Sequence, residues 1–213
     1  MHLNVGKTWT FDHTVADHFV NHARQHIPNY DSVIKKCVDL CDHFLTPQSS
    51  VIDVGCATGH TLETLHQAGY RNLHGVDASE SMLAKCNHSI ATYYHSNHFP
   101  LGNYDAVLCN WTLHFIDDKI QYLTDIYHSL NDSGFAVISD KVSENPIQIE
   151  FYHAWKKAQG CSDEEIAAKA QSLIGVMKVQ SMTWWLQALH TVGFSQVTVI
   201  DAHWCFATFL AQK

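Results

Sequence analysis

Proline and glycine are scarce in this chain of 213 residues, which contains 4 prolines and 10 glycines. That scarcity excludes a collagen-like or linker-dominated protein, and a hydrophobic content of 46% excludes a disordered one. A run of about 18 apolar residues, which a membrane-spanning helix requires, is also missing. The first residues lack the charged-then-apolar layout of a secretory signal peptide. We therefore expect a globular protein that neither spans a membrane nor is exported.

Basic residues are few as well, with 13 Lys and Arg against 21 Asp and Glu and a formal net charge of −8. This balance argues against a nucleic-acid partner, because binding to phosphate backbones needs a basic face. The 7 cysteines form no Cys-x-x-Cys pair, which favours reduced thiols and a cytoplasmic location. Histidine is abundant, with 17 residues, so the net charge should depend strongly on pH.

Short apolar runs alternate with amphipathic stretches along the chain, which predicts an α/β protein with a doubly wound parallel sheet. Strands are predicted at residues 50–54, 73–76, 91–95, 104–109 and 135–139, and as a closing pair at 194–201 and 204–210. Helices are predicted at residues 32–45, 60–68, 79–88, 117–130, 146–159, 162–173 and 183–191. We expect one domain over residues 1–213, whose parts are a helical cover at 1–46, a core at 47–142, a helical lid at 143–182 and a C-terminal helix with a strand hairpin at 183–213.

The residues that follow the first two predicted strands indicate a nucleoside-binding site. Open α/β sheets bind ligands at the carboxyl ends of their strands. The first strand runs into Asp53 and a glycine-containing loop over residues 55–59, and the second ends in Asp77. An acid at the end of the second strand can accept hydrogen bonds from both hydroxyls of a ribose. The glycines are spaced Gly-x-x-x-Gly, which is neither the dinucleotide-binding pattern nor a P-loop.

Four segments in order, VIDVGCATG, GVDASESMLAKC, YDAVLCNWTLHFI and LNDSGFAVISDK, resemble the motifs of class I S-adenosylmethionine-dependent methyltransferases. The resemblance implies a seven-stranded sheet that ends in an antiparallel hairpin, with S-adenosylmethionine as cofactor. By position, the resemblance places Asp53, Gly55, Ala57 and Gly59 beside the methionine part of the cofactor and Asp77 at the ribose. It places Ala78 and Met82 on either side of the adenine and the Asn110 amide near the sulfonium.

A second resemblance extends over nearly the whole chain, to the carboxy-S-adenosylmethionine synthase subfamily. It is carried by FDHTVADHFVNHARQHIPNYDSVI, NWTLHFIDD and AVISDKVSENP, and it implies that a segment including Tyr30 covers the cofactor. Members of that subfamily convert S-adenosylmethionine and prephenate into a carboxylated cofactor for tRNA wobble-uridine modification. Their carboxylate-binding arginine aligns with Ala188, and the nearest upstream lysine is Lys178. A carboxylate in a closed site needs a cationic partner, so we expect this chain to bind S-adenosylmethionine without the extra carboxylate.

The leading hypothesis is therefore a methyltransferase that acts on a small molecule. The alternatives are carboxy-S-adenosylmethionine synthase-like chemistry and a cofactor-binding module without turnover. Weak candidates for catalysis are His114, Trp111 and Asp140, and Asp140 and Lys141 are candidate substrate contacts. The rings of Tyr30, Trp184 and Trp185 are predicted near the sulfonium. The alternative for Trp184 and Trp185 is a place in the core or in a homodimer interface. His18, His22 and His26 have helical spacing, and we interpret them as a polar surface and not as a metal site.

Overall fold

The computed structural model describes residues 8–143 and 145–213. The strands are β1 (Ser50–Val54), β2 (Asn72–Asp77), β3 (Thr92–His95), β4 (Tyr104–Asn110), β5 (Leu130–Lys141), β6 (Gln196–His203) and β7 (Phe206–Gln212). The helices are α1 (His13–Ala16), α2 (Phe19–His26), α3 (Tyr30–Phe44), α4 (His60–Gln67), α5 (Glu80–Leu83), α6 (Lys119–Ser129), α7 (Pro146–Ala158), α8 (Asp163–Ser172) and α9 (Met182–Val192). A single 3₁₀ turn spans Leu113–Phe115.

The strands form one seven-stranded sheet in the order β3-β2-β1-β4-β5-β7-β6. The first five strands are parallel to their neighbours, whereas β7 is antiparallel to both β5 and β6. This topology confirms the prediction of a doubly wound, mostly parallel sheet that closes with a hairpin. The strand order changes direction between β1 and β4. The crossover from β1 leads outward to β2, whereas the crossover from β3 returns to the other side of β1, where β4 lies.

Each face of the sheet carries its own hydrophobic layer, because successive side chains of a strand point to opposite faces. In β1, Ile52 belongs to a cluster that includes Trp185 and Phe209, under α6 and α9. Its neighbour Val51 belongs to a second cluster with Leu62 and other residues of α3 and α4. Two helical layers therefore cover the sheet, and the carboxyl ends of its central strands remain for a ligand.

The structure differs most from the predicted boundaries at three places. The helix expected at 79–88 is the single turn α5, which Ser79 caps by accepting a hydrogen bond from the Met82 amide. Residues 202–203, which the prediction leaves between the last two strands, are part of β6, and the chain reverses at Trp204, which has φ of 51°. Strand β5 begins at Leu130 and not at residue 135, because Leu130 already pairs with Tyr104 of β4, ahead of an irregularity in register between Tyr104 and Ala106.

The lid helix α8 begins at a capping box. The Ser162 hydroxyl accepts a hydrogen bond from the Glu165 amide, and the Glu165 carboxylate accepts one from the Ser162 amide. Such reciprocal caps satisfy two amide donors that a helix leaves unpaired at its start. Helix α7 carries the same arrangement between Asn145 and Gln148. Both lid helices therefore have well-defined starts, which orients their inner faces.

Candidate active site

A cavity of about 890 Å³ opens at the carboxyl ends of β1, β2, β4 and β5. This volume lies in the upper part of the range of small-molecule pockets. Strand ends form its floor, with Asp53, Asp77, Asn110 and Lys141 in the wall. Residues of the N-terminal segment and of α2, α7 and α8 line the opposite side. The sheet edge and the helical lid thus face each other across one space.

The loop after β1 approaches its neighbours so closely that a side chain at its first position would collide with them. A Cβ at Gly55 would lie 2.0 Å from the Thr112 hydroxyl oxygen, and φ of Gly55 is 67°. The amides of Gly55 and Cys56 donate to the Val76 carbonyl, at 2.8 and 3.0 Å. Ala57 also lies in the left-handed region, with φ of 47°. The loop therefore keeps its backbone exposed to the cavity.

The Asp77 carboxylate is held by two backbone amides. One oxygen accepts a hydrogen bond from Ala57 at 2.9 Å and the other from Ser79 at 2.8 Å. Burial raises its pKa, and the hydrogen bonds from Ser79 and Ala57 oppose that shift. Each carboxylate oxygen can accept a second hydrogen bond. The side chain thus presents two oriented acceptors to the cavity, which is the chemistry that a ribose diol requires.

Asp53 is nearly inaccessible, and burial raises the pKa of its carboxyl to about 8 from the ordinary 3.8. The Asp77 charge raises this pKa further, whereas a hydrogen bond with Thr61 lowers it. Asp53 lines the same cavity. A cationic ligand beside it would favour the ionised form.

Aromatic rings lie over the strand ends. Tyr30 stacks on Trp111 at a centroid distance of 4.8 Å, and His60 lies beyond Tyr30 at 6.1 Å. All three rings line the cavity. Trp185 is fully buried in the core, and Trp184 packs against the same cluster, so the core alternative holds for both.

Asn110 and the 3₁₀ turn follow β4. The Asn110 amide oxygen accepts a hydrogen bond from the Ser139 hydroxyl at 2.7 Å. His114 is buried except for the part that lines the cavity, and its Nδ1 contacts the Asp140 carboxylate. Asp140 is fully buried and also accepts a hydrogen bond from the Lys141 amide at 2.8 Å. Because Nδ1 is engaged, Nε2 is the nitrogen of His114 that can exchange a proton with a ligand.

Three of the predicted site residues are absent from the cavity wall that the described residues form. Gly59 caps α4 from behind the loop, with φ of 82°. Met82 is fully buried beside Ala57, in a small cluster with Val15. Asp140 reaches the cavity only through His114. These three support the wall from behind, whereas Ala78 and the other predicted residues line it.

The lid side of the cavity carries basic side chains that the sequence analysis missed. Lys156 and Lys169 are buried on α7 and α8 and line the cavity together with Lys141. Each of the two helical lysines shares an inner face with an apolar residue, Tyr152 for α7 and Ile166 for α8. A lysine at a position on the apolar face of a predicted helix is the signal in the sequence that indicates such a residue.

Two expectations about charge concern this wall. Ala188 lies in the core, and basic side chains enter the cavity from the lid, so binding of S-adenosylmethionine without the extra carboxylate stays a prediction. Lys178 pairs with Asp117 at 2.5 Å on the surface. His22 and His26 are not part of a polar surface, since both line the cavity, whereas His18 is exposed.

In residues 8–143 and 145–213, helices long and apolar enough to cross a membrane are absent. The same residues contain no group of three or more His, Cys, Asp or Glu side chains arranged to hold a metal ion.

Comparison with known proteins identifies the family. A family model described as a methyltransferase domain matches residues 21–199. The chain is 31% identical to carboxy-S-adenosyl-L-methionine synthase of Haemophilus ducreyi, over 96% of this chain and 92% of that protein. It is 32% identical to the protein of the same name from Shewanella sp. strain ANA-3, over 95% and 92%.

Solved structures show the same fold at low sequence identity. A methyltransferase from Thermotoga maritima matches with a TM-score of 0.67 and 17% identity, over 96% of this chain and 99% of that one. Magnesium protoporphyrin IX methyltransferase from Synechocystis, solved with bound S-adenosylhomocysteine, matches with a TM-score of 0.65 and 13% identity, over 94% and 98%. Because the family model spans most of the chain and the relatives match nearly all of it, the protein belongs to the class I S-adenosylmethionine-dependent methyltransferases and uses S-adenosylmethionine as its cofactor.

Proposed function

We propose that the protein transfers the methyl group of S-adenosylmethionine to a small molecule held in the same cavity. The observation that carries this proposal is that the strand-end residues and the lid residues line one space of about 890 Å³. A space of this size accommodates the cofactor and a small acceptor side by side. The net charge of −8 argues against a nucleic-acid acceptor.

The residues at the sheet edge fit the cofactor. Asp77 offers two backbone-anchored acceptors for the ribose hydroxyls, next to Ala78 at the adenine side. The backbone of the loop at Gly55 and Ala57 would contact the methionine part of the cofactor, beside Asp53. The stacked rings of Tyr30 and Trp111 line the same cavity, as does Asn110. Gly59 and Met82 would act by holding this wall from behind.

S-adenosylmethionine supplies an electrophilic methyl group on a positively charged sulfonium. The chain's own contribution is to orient both molecules and to exclude water from the space between them. The electron-rich faces of Tyr30 and Trp111 favour a nearby positive charge. The lid supplies the remaining wall, which is lined by Tyr152 and Phe206 among others.

We propose His114 as the general base that removes a proton from the acceptor. Asp140 contacts Nδ1 and so favours the tautomer in which Nε2 is unprotonated. Asp140 is fully buried and lies outside the cavity wall formed by the described residues, so it serves as a positioning residue. A base of this kind typically accelerates a reaction by about 10²–10⁴-fold.

A second candidate is carboxy-S-adenosylmethionine synthesis, which the names of the relatives favour. The extra carboxylate would lie in a cavity lined by Lys141 at the end of β5 and by Lys156 and Lys169 on the lid side. The cavity therefore does not exclude that product by a shortage of cations.

One experiment separates the two candidates. The purified protein is denatured, and the released small molecules are identified by mass spectrometry, before and after incubation with S-adenosylmethionine and prephenate. We expect S-adenosylmethionine or its demethylated product under both conditions, and transfer of a labelled methyl group to an acceptor in a screen of small metabolites. A species heavier than S-adenosylmethionine by one CO₂ would instead establish the synthase. Failure to bind the cofactor would contradict both.

A further inference from the structure

The lid side of the cavity has a charge character that methyl transfer by itself does not require. We define the lid wall as His22 and His26 on α2, Lys156 on α7 and Lys169 on α8, with the rings of Trp9 and Tyr152 between them. We propose that the lid wall is a binding subsite for an anionic group of the acceptor, a carboxylate or a phosphate, so that the acceptor is a small organic anion. This inference rests on the proposed function, because it names the class of molecule that accepts the methyl group.

The members of the lid wall form a continuous surface. The rings of His22 and His26 lie 4.2 Å apart, and Trp9 stacks on His22 at 5.4 Å. The Lys169 ammonium lies over the ring of Trp9. On the other side, the Tyr152 hydroxyl donates to the carbonyl of His26 at 2.6 Å, and the Lys156 ammonium lies 4.2 Å from the Tyr152 ring centroid. Aromatic rings thus hold the cationic groups in place.

The polar environment of the lid wall differs from that of the sheet edge. Within the described part of the chain, Nε2 of His22 and Nδ1 of His26 are buried and have no hydrogen-bond partner. Among the same residues, the carboxylates that line the cavity are those of Asp53 and Asp77, both at the sheet edge. Among the described residues, the cavity wall is thus acidic at the sheet edge and basic at the lid wall, and a basic wall is the electrostatic complement of an anionic ligand.

Burial and mutual repulsion hold these groups partly uncharged when the cavity contains no anion. The pKa of Lys169 is lowered to about 6, first by burial and then by the charge of Lys156. The pKa values of His22 and His26 are lowered to about 3 and about 2, again mainly by burial. Among the described residues, the other basic groups that line the cavity are Lys141 on β5, His60 on α4, His153 on α7 and His114 on the 3₁₀ turn.

An anion at the lid wall would reverse this balance. A negative charge near Lys169 favours its protonated form and raises its pKa. Near pH 7 the ligand would then bind together with a proton, because the free lysine is mostly neutral and the complexed one is charged. Affinity for the anion should therefore increase as the pH falls from 8 towards 6.

The test compares two probes of nearly the same shape and different charge. Binding of benzoate and of its uncharged counterpart benzamide is measured by calorimetry at pH 7, with the protein saturated by S-adenosylhomocysteine and again without it. We expect benzoate to bind at least about tenfold more tightly than benzamide. The binding heat of benzoate should differ between Tris and PIPES buffers, because proton uptake draws on the buffer.

Two variants assign the effect to the lid wall. Lys169→Met removes the cation and keeps most of the side-chain volume, and it should abolish the preference for benzoate while benzamide binding stays unchanged. Lys157→Met is the matched control, because Lys157 is exposed on α7 and pairs with Asp163 at 2.7 Å on the surface. It should keep the preference. Unchanged benzamide binding also shows that the cavity of the Lys169 variant remains intact.

A third probe, inorganic phosphate, distinguishes the two sources of the charge. Tighter binding of phosphate than of benzoate, lost in Lys169→Met, would support the subsite and assign a phosphorylated acceptor. Equal affinity for benzoate and benzamide in the wild-type protein, or a preference that survives Lys169→Met, would overturn the subsite. Absence of S-adenosylhomocysteine binding would instead contradict the proposed function, since benzoate binding is measured independently of it.

Discussion

The sheet edge and the lid, which form the two sides of the cavity, differ in both charge and origin. The sheet edge carries the carboxylates of Asp53 and Asp77, whereas the lid carries Lys156 and Lys169. Burial raises the pKa of both acids and lowers the pKa of Lys169. The same physical cause thus pushes both sides towards neutrality, and each side regains charge when an oppositely charged ligand binds.

This comparison explains how one cavity can serve two different molecules. A cofactor with a positive sulfonium suits the acidic sheet edge, and an anionic acceptor suits the lid. Opposite charges at the two sides would also favour one orientation of the pair over the reverse. If the two sides act separately, a substitution on one side should leave ligand binding on the other side unchanged.

The first prediction concerns His114, which lies between the two sides. His114→Gln should lower the rate of methyl transfer by about 100-fold or more, because it removes the proposed base. The affinity for S-adenosylmethionine should stay within about twofold, since the histidine has no role in the ribose contacts. Transfer of a labelled methyl group gives the rate, and calorimetry gives the affinity.

The exposed residue His128 on α6 provides the control, and His128→Gln should behave as wild type. Asp140→Asn should lower the rate by less than His114→Gln and shift its pH profile, because it acts on the tautomer. Full activity in His114→Gln would remove this residue from the mechanism.

The second prediction isolates the sheet edge. Asp77→Ala removes a carboxylate that is held by the amides of Ala57 and Ser79. The affinity for S-adenosylmethionine should fall about ten- to a hundredfold in calorimetry, since a hydrogen bond to a charged group contributes roughly 1.5–3 kcal/mol. Benzoate binding at the lid should be unaffected. Asp39→Ala, on the surface of α3, is the control, and equal affinities in both variants would refute the ribose role.

The third prediction uses the raised pKa of Asp53. A carboxyl with a pKa of about 8 in the folded state and 3.8 ordinarily stabilises the fold below pH 4, and this contribution is lost as the pH rises towards 8. Between pH 5 and pH 8, the melting temperature of the ligand-free wild type should therefore fall more than that of Asp53→Asn. The difference should be several degrees, because each kcal/mol changes Tm by roughly 2–4 °C in a chain of this size. Parallel curves would mean that Asp53 is ionised in the folded protein.

The fourth prediction is the opposite pH dependence on the lid side. His22 and His26 have pKa values lowered to about 3 and about 2 from the ordinary 6.5, so their contribution is present above pH 6.5 and lost on acidification. From pH 7 to pH 5, the double variant His22→Gln/His26→Gln should lose less thermal stability than wild type, by a few degrees. His18→Gln, one turn earlier and exposed, is the matched control. A control that changes as much as the double variant would show that these histidines are not buried in solution.

The two sides also differ in how well the sequence predicts them. The loop over residues 55–59 and Asp77 each follow a recognisable strand, so their position at the sheet edge could be inferred from order alone. Lys169 lies 92 residues beyond Asp77 on a helix whose packing the sequence pattern does not reveal. The spacing of His18, His22 and His26 shows a shared face but not what that face contacts, which is why the surface interpretation was wrong for two of them.

The sequence by itself determined the class of the fold, the order of its strands and helices, the family and the cofactor. The fold class and the order of elements follow from local patterns, because alternating apolar runs and short loops specify a parallel sheet whose strand ends must meet at one edge. The family and the cofactor follow from the resemblance of four motifs in order to those of known methyltransferases. Only the tertiary structure decided which residues face the cavity from the lid and which merely support its wall, as Met82 does behind Ala57. The physical reason is that these contacts join elements far apart in the chain. Burial, which sets the pKa values of Asp53, Lys169 and His22, depends on that packing and not on neighbouring residues.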